Sequence, residues 1–213
     1  MAGTADRAKR PARTSVWLEG EAPRDKAPRG GAARGGDRPS GLDRERITAA
    51  TVRLLDAEGP AKFSMRRLAA GLNVSAMSVY WYVDTKDDLL ELALDAVFGE
   101  LALPDVESEE GWRDQLRGLA VGYRALSVRH PWVSALIGIF PNIGPCSMAF
   151  SACVRQVIRN AGMPPCRQTG AMSAVFQFVY GSHFAGAEAR ERDVEFALEL
   201  LIAGIEAMVP PVG

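Results

Sequence analysis

The stretch LNVSAMSVYWYVDTKDDLL, Leu72 to Leu90, sets Tyr80, Trp81 and Tyr82 side by side and follows them with Lys86 among acids. Neighbours on a helix point about 100° apart, so three contiguous rings cannot share one buried face. Part of this aromatic run must face outward. Val79 and Val83, four apart, supply the inward side and leave Ala76, Ser78, Tyr80, Trp81 and Tyr82 on the outward arc. Ser75 is placed to cap this short helix, which is predicted to run to about Val83. Thr85 with Asp88 fits a capping box that opens a longer helix behind it.

Upstream the pattern is also helical. Asp43 can cap a helix whose stripe is Ile47, Ala50, Thr51, Leu54 and Leu55, and Gly59 with Pro60 supplies its stop. Ser64 can cap a second, short helix that buries Leu68, Ala69 and Leu72, and a sharp turn follows at Asn73. Two short helices joined by a tight turn, the second turning polar and aromatic side chains outward, have the layout of a helix-turn-helix. Small residues at the start of the second suit close approach to base edges: Ala76 offers a methyl contact to thymine and Ser78 a hydrogen bond. Tyr80, Trp81 and Tyr82 can bond phosphate oxygens through O–H or indole N–H while their apolar bodies lie on the sugars. Lys86 adds a phosphate contact reinforced by a helix N-terminus. Net charge does not help, since residues 41–95 carry seven basic and nine acidic side chains. Local placement must do what the average field does not.

The 213 residues allow one large or two modest domains. Residues 1–40 carry a balance of +4 and the rest of the chain −5. That arm is rich in Gly, Pro, Ala and Arg without apolar periodicity, so it is expected to be disordered, either solvated or following phosphates nonspecifically. Only SVWL, Ser15 to Leu18, has the character of a docking spot. Three cysteines without C-x-x-C spacing and two histidines imply neither a disulfide scaffold nor a metal site. His130 and His183 have no evident partner, and a structural hydrogen bond is the expected role of each. No apolar run approaches the roughly 18 residues of a membrane span, and a cytoplasmic location is expected. No G-x-S-x-G, G-x-x-x-x-G-K-[ST] or H-E-x-x-H is present, so no enzyme and no cofactor are expected.

From about Asp43 to Asp95, a stretch that includes ITAATVRLLDAEGPAKFSMRRLAAGLNVSAMSVYWYVDTKDDLLELALD, the chain resembles the tetracycline repressor (TetR) family of bacterial regulators. The resemblance implies an all-α fold: a three-helix DNA-binding domain over residues 41–95, joined by a long fourth helix to a helical ligand-binding and dimerisation domain over 96–213. It makes Arg66 a base reader from the second helix and places Ala76 and Ser78 at base-facing positions. Tyr80, Trp81, Tyr82 and Lys86 match the backbone-clamping positions. Asn73 stands where glycine is common, and asparagine tolerates the left-handed backbone needed there. Met65 replaces a frequent hydroxyl residue. The implied function is a homodimeric repressor that binds a palindromic double-stranded DNA operator and is released by a small molecule. The alternative is a dimeric helical interaction module without specific DNA binding.

Further on, Leu116, Leu119, Tyr123 and Leu126 form one helical stripe, and Phe150, Val154, Val157 and Ile158 another. The last two segments are apolar nearly all round, and such a helix has its own core and a further partner to satisfy. A second copy of the chain is the economical partner, with Gly170, Ala174, Gly181, Ala203 and Gly204 allowing close approach. Between the two stripes, Trp132, Ile137, Phe140 and Met148 lie amid Pro and Gly breaks and are the candidates to line an effector pocket, though a core would use them equally well.

Overall fold

A computed structural model describes residues 15–18, 42–181 and 191–210, and nine helices without a strand make up its regular structure among them. Helix α1, Arg44–Glu58, begins where the Asp43 carboxylate accepts from the Arg46 N–H at 2.6 Å, and ends at Gly59, whose φ of 75° a side chain would resist. Its predicted stripe is buried except for a half-buried Leu54. Ser64 caps α2, Met65–Gly71, and Ser75 caps α3, Ala76–Tyr80, as their sequences require. The turn between them hinges on Asn73, at φ 56°. A β-branched side chain cannot adopt that conformation cheaply. Asn73→Val is expected to cost about 1–2 kcal/mol in urea unfolding, while Asn73→Gly stays near wild type. Equal stability of the Val variant would show that the turn does not need the left-handed residue.

The predicted capping box opens α4, Lys86–Phe98: the Thr85 N–H donates to Asp88 Oδ2 at 2.9 Å and the Asp88 N–H to Thr85 Oγ1 at 3.0 Å. This helix is buried on nearly every side because α1 packs on one flank and α7 on the other. It therefore spans from the N-terminal helices into the C-terminal bundle, and no tilt of α4 can leave either unaffected.

The bundle consists of α5, Trp112–Arg129; the single turn α6, Val133–Leu136; α7, Pro145–Asn160; α8, Pro165–Gly181; and α9, Glu191–Ala207. Both predicted stripes, on α5 and α7, are buried. Their rings meet those of α4 and α8 in a cluster of Phe98, Tyr123, Phe150, Phe176 and Tyr180, with centroids 5.3 to 6.3 Å apart. Burial pushes the Tyr180 phenol up to about 12 and the Tyr123 phenol up as well, so both stay protonated at neutral pH. Among the described residues no helix is long and apolar enough to cross a membrane.

One departure from the sequence reading concerns the backbone. Helix α3 stops at Tyr80 instead of about Val83, because the Tyr82 N–H turns back to the Val79 carbonyl at 3.0 Å. Ser15–Leu18, the segment of the arm with the character of a docking spot, form a turn against α4 with Ser15 buried. The rest of residues 1–40 lies outside the described residues.

Candidate nucleic-acid interface and the recess on the fourth helix

Val79 on α3 and Val83 just beyond it are buried as their spacing demanded, while Met77, Tyr80 and the C-cap Trp81 are exposed by 69%, 44% and 63%. Met77 escaped the sequence reading, since an isolated methionine in an apolar run looks like core. Ser78 is half-exposed, and its hydroxyl lies 2.9 Å from the hydroxyl of the cap Ser75, which fixes its direction. Ala76 and Tyr82, expected on the outward arc, are half-buried against the core. The early end of α3 is the reason for Tyr82: in the following turn its ring folds back while Trp81 swings out.

Helix α2 separates two neighbouring arginines. Arg67 donates to Glu58 at 2.8 Å and is tied to α1, whereas exposed Arg66 has no ion pair among the described residues. Of the two, Arg66 is the one that no described residue holds. Met65 is buried and offers no polar group to the surface. Lys86 stands in the first turn of α4 with its ammonium 5.5 Å from the centre of the Phe63 ring. That contact holds the charge near the helix N-terminus without neutralising it. Arg66, Ser78, Tyr80, Trp81 and Lys86 thus present cationic, hydroxyl and aromatic groups on the α2–α4 surface, the groups that nucleic-acid backbones and base edges accept.

The four residues singled out for an effector pocket do not surround one cavity. Trp132 is buried and donates its indole N–H to Asp56 at 2.6 Å; Ile137 is enclosed in the core; Met148 is 48% exposed on α7. Phe140 alone of the four lines a recess, of about 180 Å³, beside α4, together with Trp17, Glu91, Leu94, Asp95 and Gly144. Breaks in the chain at Pro and Gly had suggested a mouth, but the first two side chains between those breaks fill the core. A wider open cleft of about 760 Å³ lies among α5, α8 and α9, lined by Ala120, Val121, Arg124, Phe178 and Leu198.

His130 has the structural role expected of it. Its ring nitrogens lie 2.7 Å from Asp56 Oδ1 of α1 and 3.2 Å from Glu100 Oε2 beyond α4, so it joins the N-terminal helices to the bundle. His183 lies outside the described residues. Among the described residues no cluster of His, Cys, Asp or Glu is arranged to hold a metal.

Comparison with known proteins agrees with this architecture. Residues 47–93 match the family described as bacterial regulatory proteins, tetR family, and residues 103–193 match the tetracyclin repressor-like C-terminal domain. An HTH-type transcriptional regulator of Saccharopolyspora erythraea is 42% identical over 71% of this chain and 64% of its own length. The tetracycline repressor protein class G of Vibrio anguillarum is 30% identical over 66% of this chain and 67% of its own length. The chain spans 54% to 67% of the length of the first three curated relatives it matches, and less of others. The crystal structure of BioQ with its double-stranded DNA operator superposes with a TM-score of 0.66 at 26% identity, covering 78% of this chain and 99% of that one. From a capped helix-turn-helix, an α4 shared between two helical layers and these matches over both, the chain belongs to the TetR family.

Proposed function

We propose that this protein is a homodimeric, ligand-responsive transcriptional regulator that binds a palindromic operator and represses until a small molecule releases it. Residues 41–95 form the reading unit in this proposal, and residues 96–213 the effector and dimer unit. The observation that carries it is the exposed surface at α3, where Met77, Tyr80 and Trp81 stand in solvent, with exposed Arg66 on α2 without an ion pair among the described residues. Exposed large apolar and aromatic groups of this kind mark an interaction surface. The BioQ relative bound to its operator and the tetracycline repressor relative support the two halves of the reading.

In this reading two α3 helices related by a two-fold axis enter successive major grooves about 34 to 36 Å apart. Buried α4 then carries the state of the bundle to the reading heads. To empty an operator, an effector must favour the non-binding conformation by about 5.5 kcal/mol, the difference between 1:99 and 99:1 occupancy.

The test is titration of the purified chain against DNA fragments selected from its source genome, in a salt series with scrambled competitor. Arg66→Ala is expected to weaken the selected site by about 1–3 kcal/mol and relax one base position, whereas Lys86→Ala weakens all sequences alike and lowers the salt slope by about 1. A wild-type chain that selects no fragment over the scrambled competitor leaves the interaction module as the reading in force.

A further inference from the structure

Far in sequence from α4, the segment Ser15–Leu18 docks on it through a specific polar contact. The Ser15 hydroxyl donates to Glu91 Oε2 at 2.6 Å, and the Val16 N–H donates to the same oxygen at 3.2 Å. The Trp17 N–H turns back to the Ser15 hydroxyl at 3.3 Å, closing a compact loop. Ser15 and Glu91 are 2% and 7% exposed, so the contact is sealed from water. A buried carboxylate demands donors, and here a segment 75 residues away supplies them. The Trp17 indole forms one wall of the recess next to Phe140.

The recess has a definite chemistry. Among the described residues two carboxylates, Glu91 and Asp95, line it with aromatic Trp17 and Phe140, and no cationic side chain does. Asp95 is already occupied by the N–H groups of Cys146 and Ser147. Glu91 is the acid whose partners are supplied by the docked segment. The 180 Å³ of the recess includes open solvent, and only about 10 Å³ of it accommodates the centre of a water-sized group, far below the roughly 300–1,000 Å³ of ordinary ligand pockets. An incoming molecule of useful size must therefore displace the indole, and in doing so takes over its ring contacts and the donors on Glu91.

We propose that Ser15–Trp17 is a built-in occupant of the effector site, and that the effector is a cationic arylalkylamine, a planar ring carrying an ammonium on a short chain, which replaces it at Glu91. This rests on the regulator reading above. One ammonium replaces two neutral donors with a charge-assisted bond, and the ring takes the place of the indole. Leaving, the segment removes its tie on α4, the helix that the bundle and the DNA-reading helices share. The arm is thus a competitor whose strength sets the effector threshold, since a site occupied intramolecularly has its ligand Kd raised by the reciprocal of the fraction of time it is open.

Tryptamine serves as the probe and indole-3-acetate as its anionic counterpart, both with the full chain. Trp17→Ala is expected to bind tryptamine at least tenfold more tightly than wild type. Saturating tryptamine should speed amide exchange of Val16 and Trp17 in wild type at least tenfold, and indole-3-acetate should do neither. Glu91→Leu, checked for folding by exchange in α5 and α7, should lose the probe. Equal affinity of wild type and Trp17→Ala, no binding by Trp17→Ala, or exchange at Val16 that ignores the bound probe each overturns the proposal. Fragment binding by wild type, measured alongside, separates the two readings: intact operator binding with a negative probe result removes only the built-in occupant.

Discussion

Gly144→Ala is expected to destabilise the protein by about 3–5 kcal/mol, the range of a buried charge losing its partners, read as a lower urea midpoint at unchanged slope. The reason is a cap supplied from a distance. Helix α7 begins at Gly144 and Pro145, which bring no side-chain cap of their own. Its free N–H groups at Cys146 and Ser147 donate instead to the Asp95 carboxylate of α4, at 3.2 and 2.8 Å. Asp95 is 4% exposed and reaches this position because Gly144 has no side chain. A Cβ there would overlap the carboxylate and stand 2.8 Å from Asp95 Cβ. The carboxylate must then withdraw into a core that offers no other donors, or α7 must move off α4. Asp95→Ala should cost a comparable amount by leaving both N–H groups bare. The double variant distinguishes clash from general damage: removing Asp95 also removes the obstacle, so Gly144→Ala should add little to Asp95→Ala. Simple additivity of the two costs would show that Gly144 is small for another reason.

That cap illustrates what the sequence does and does not carry. Asp43, Ser64, Ser75 and Thr85 cap their helices with N–H groups three residues away, so spacing alone located four helix starts. The stripes of α1, α5 and α7 were legible for the same local reason. Asp95 caps a helix 51 residues on, and Glu91 holds a segment 76 residues back. In the sequence both read as ordinary acids on the polar side of an amphipathic helix. They are buried because α4 has no polar side, a fact that belongs to the packing of α1 and α7 around it. The aromatic run was legible as an exposed surface, yet which ring folds inward depended on where α3 stops. That was decided by one backbone hydrogen bond from Tyr82 to Val79 rather than by composition. Trp132 and His130 were equally opaque, since their shared partner Asp56 lies on α1.

Leu200→Glu is expected to convert a dimer into monomers at micromolar concentration and to weaken operator binding more than 100-fold, about 2.7 kcal/mol. Helix α9 has three differently engaged faces. Leu198, Ile202 and Ile205 are buried in the bundle. Glu199 accepts both Nε and a terminal nitrogen of Arg117 on α5, at 2.8 and 2.9 Å, and Glu206 pairs with Arg113 one helical stretch along. The Arg117 guanidinium holds the Glu199 carboxyl below its usual range, so this pair is charged at neutral pH and marks the α5 side. What remains is a stripe of Phe196 and Leu200, 66% and 58% exposed, continued by exposed Ala203, Gly204 and Ala207. On α8, Gly170, Ser173, Ala174 and Gln177 form a second exposed stripe, and a Cβ added at Gly170 or Gly204 meets nothing. Small residues beside large apolar ones on an uncovered face suit two copies packing as a four-helix bundle. A two-fold axis presents each substitution twice, so Leu200→Glu buries two carboxylates near one another without partners. A lone reading head then has to hold a half-site without the second, and the affinity gained by linking them is lost. Val128→Glu, on an apolar side chain 72% exposed on α5, is the matched control and should change neither assembly nor binding. Sedimentation of the two variants decides the matter: a Leu200→Glu chain that stays dimeric places the interface on another face.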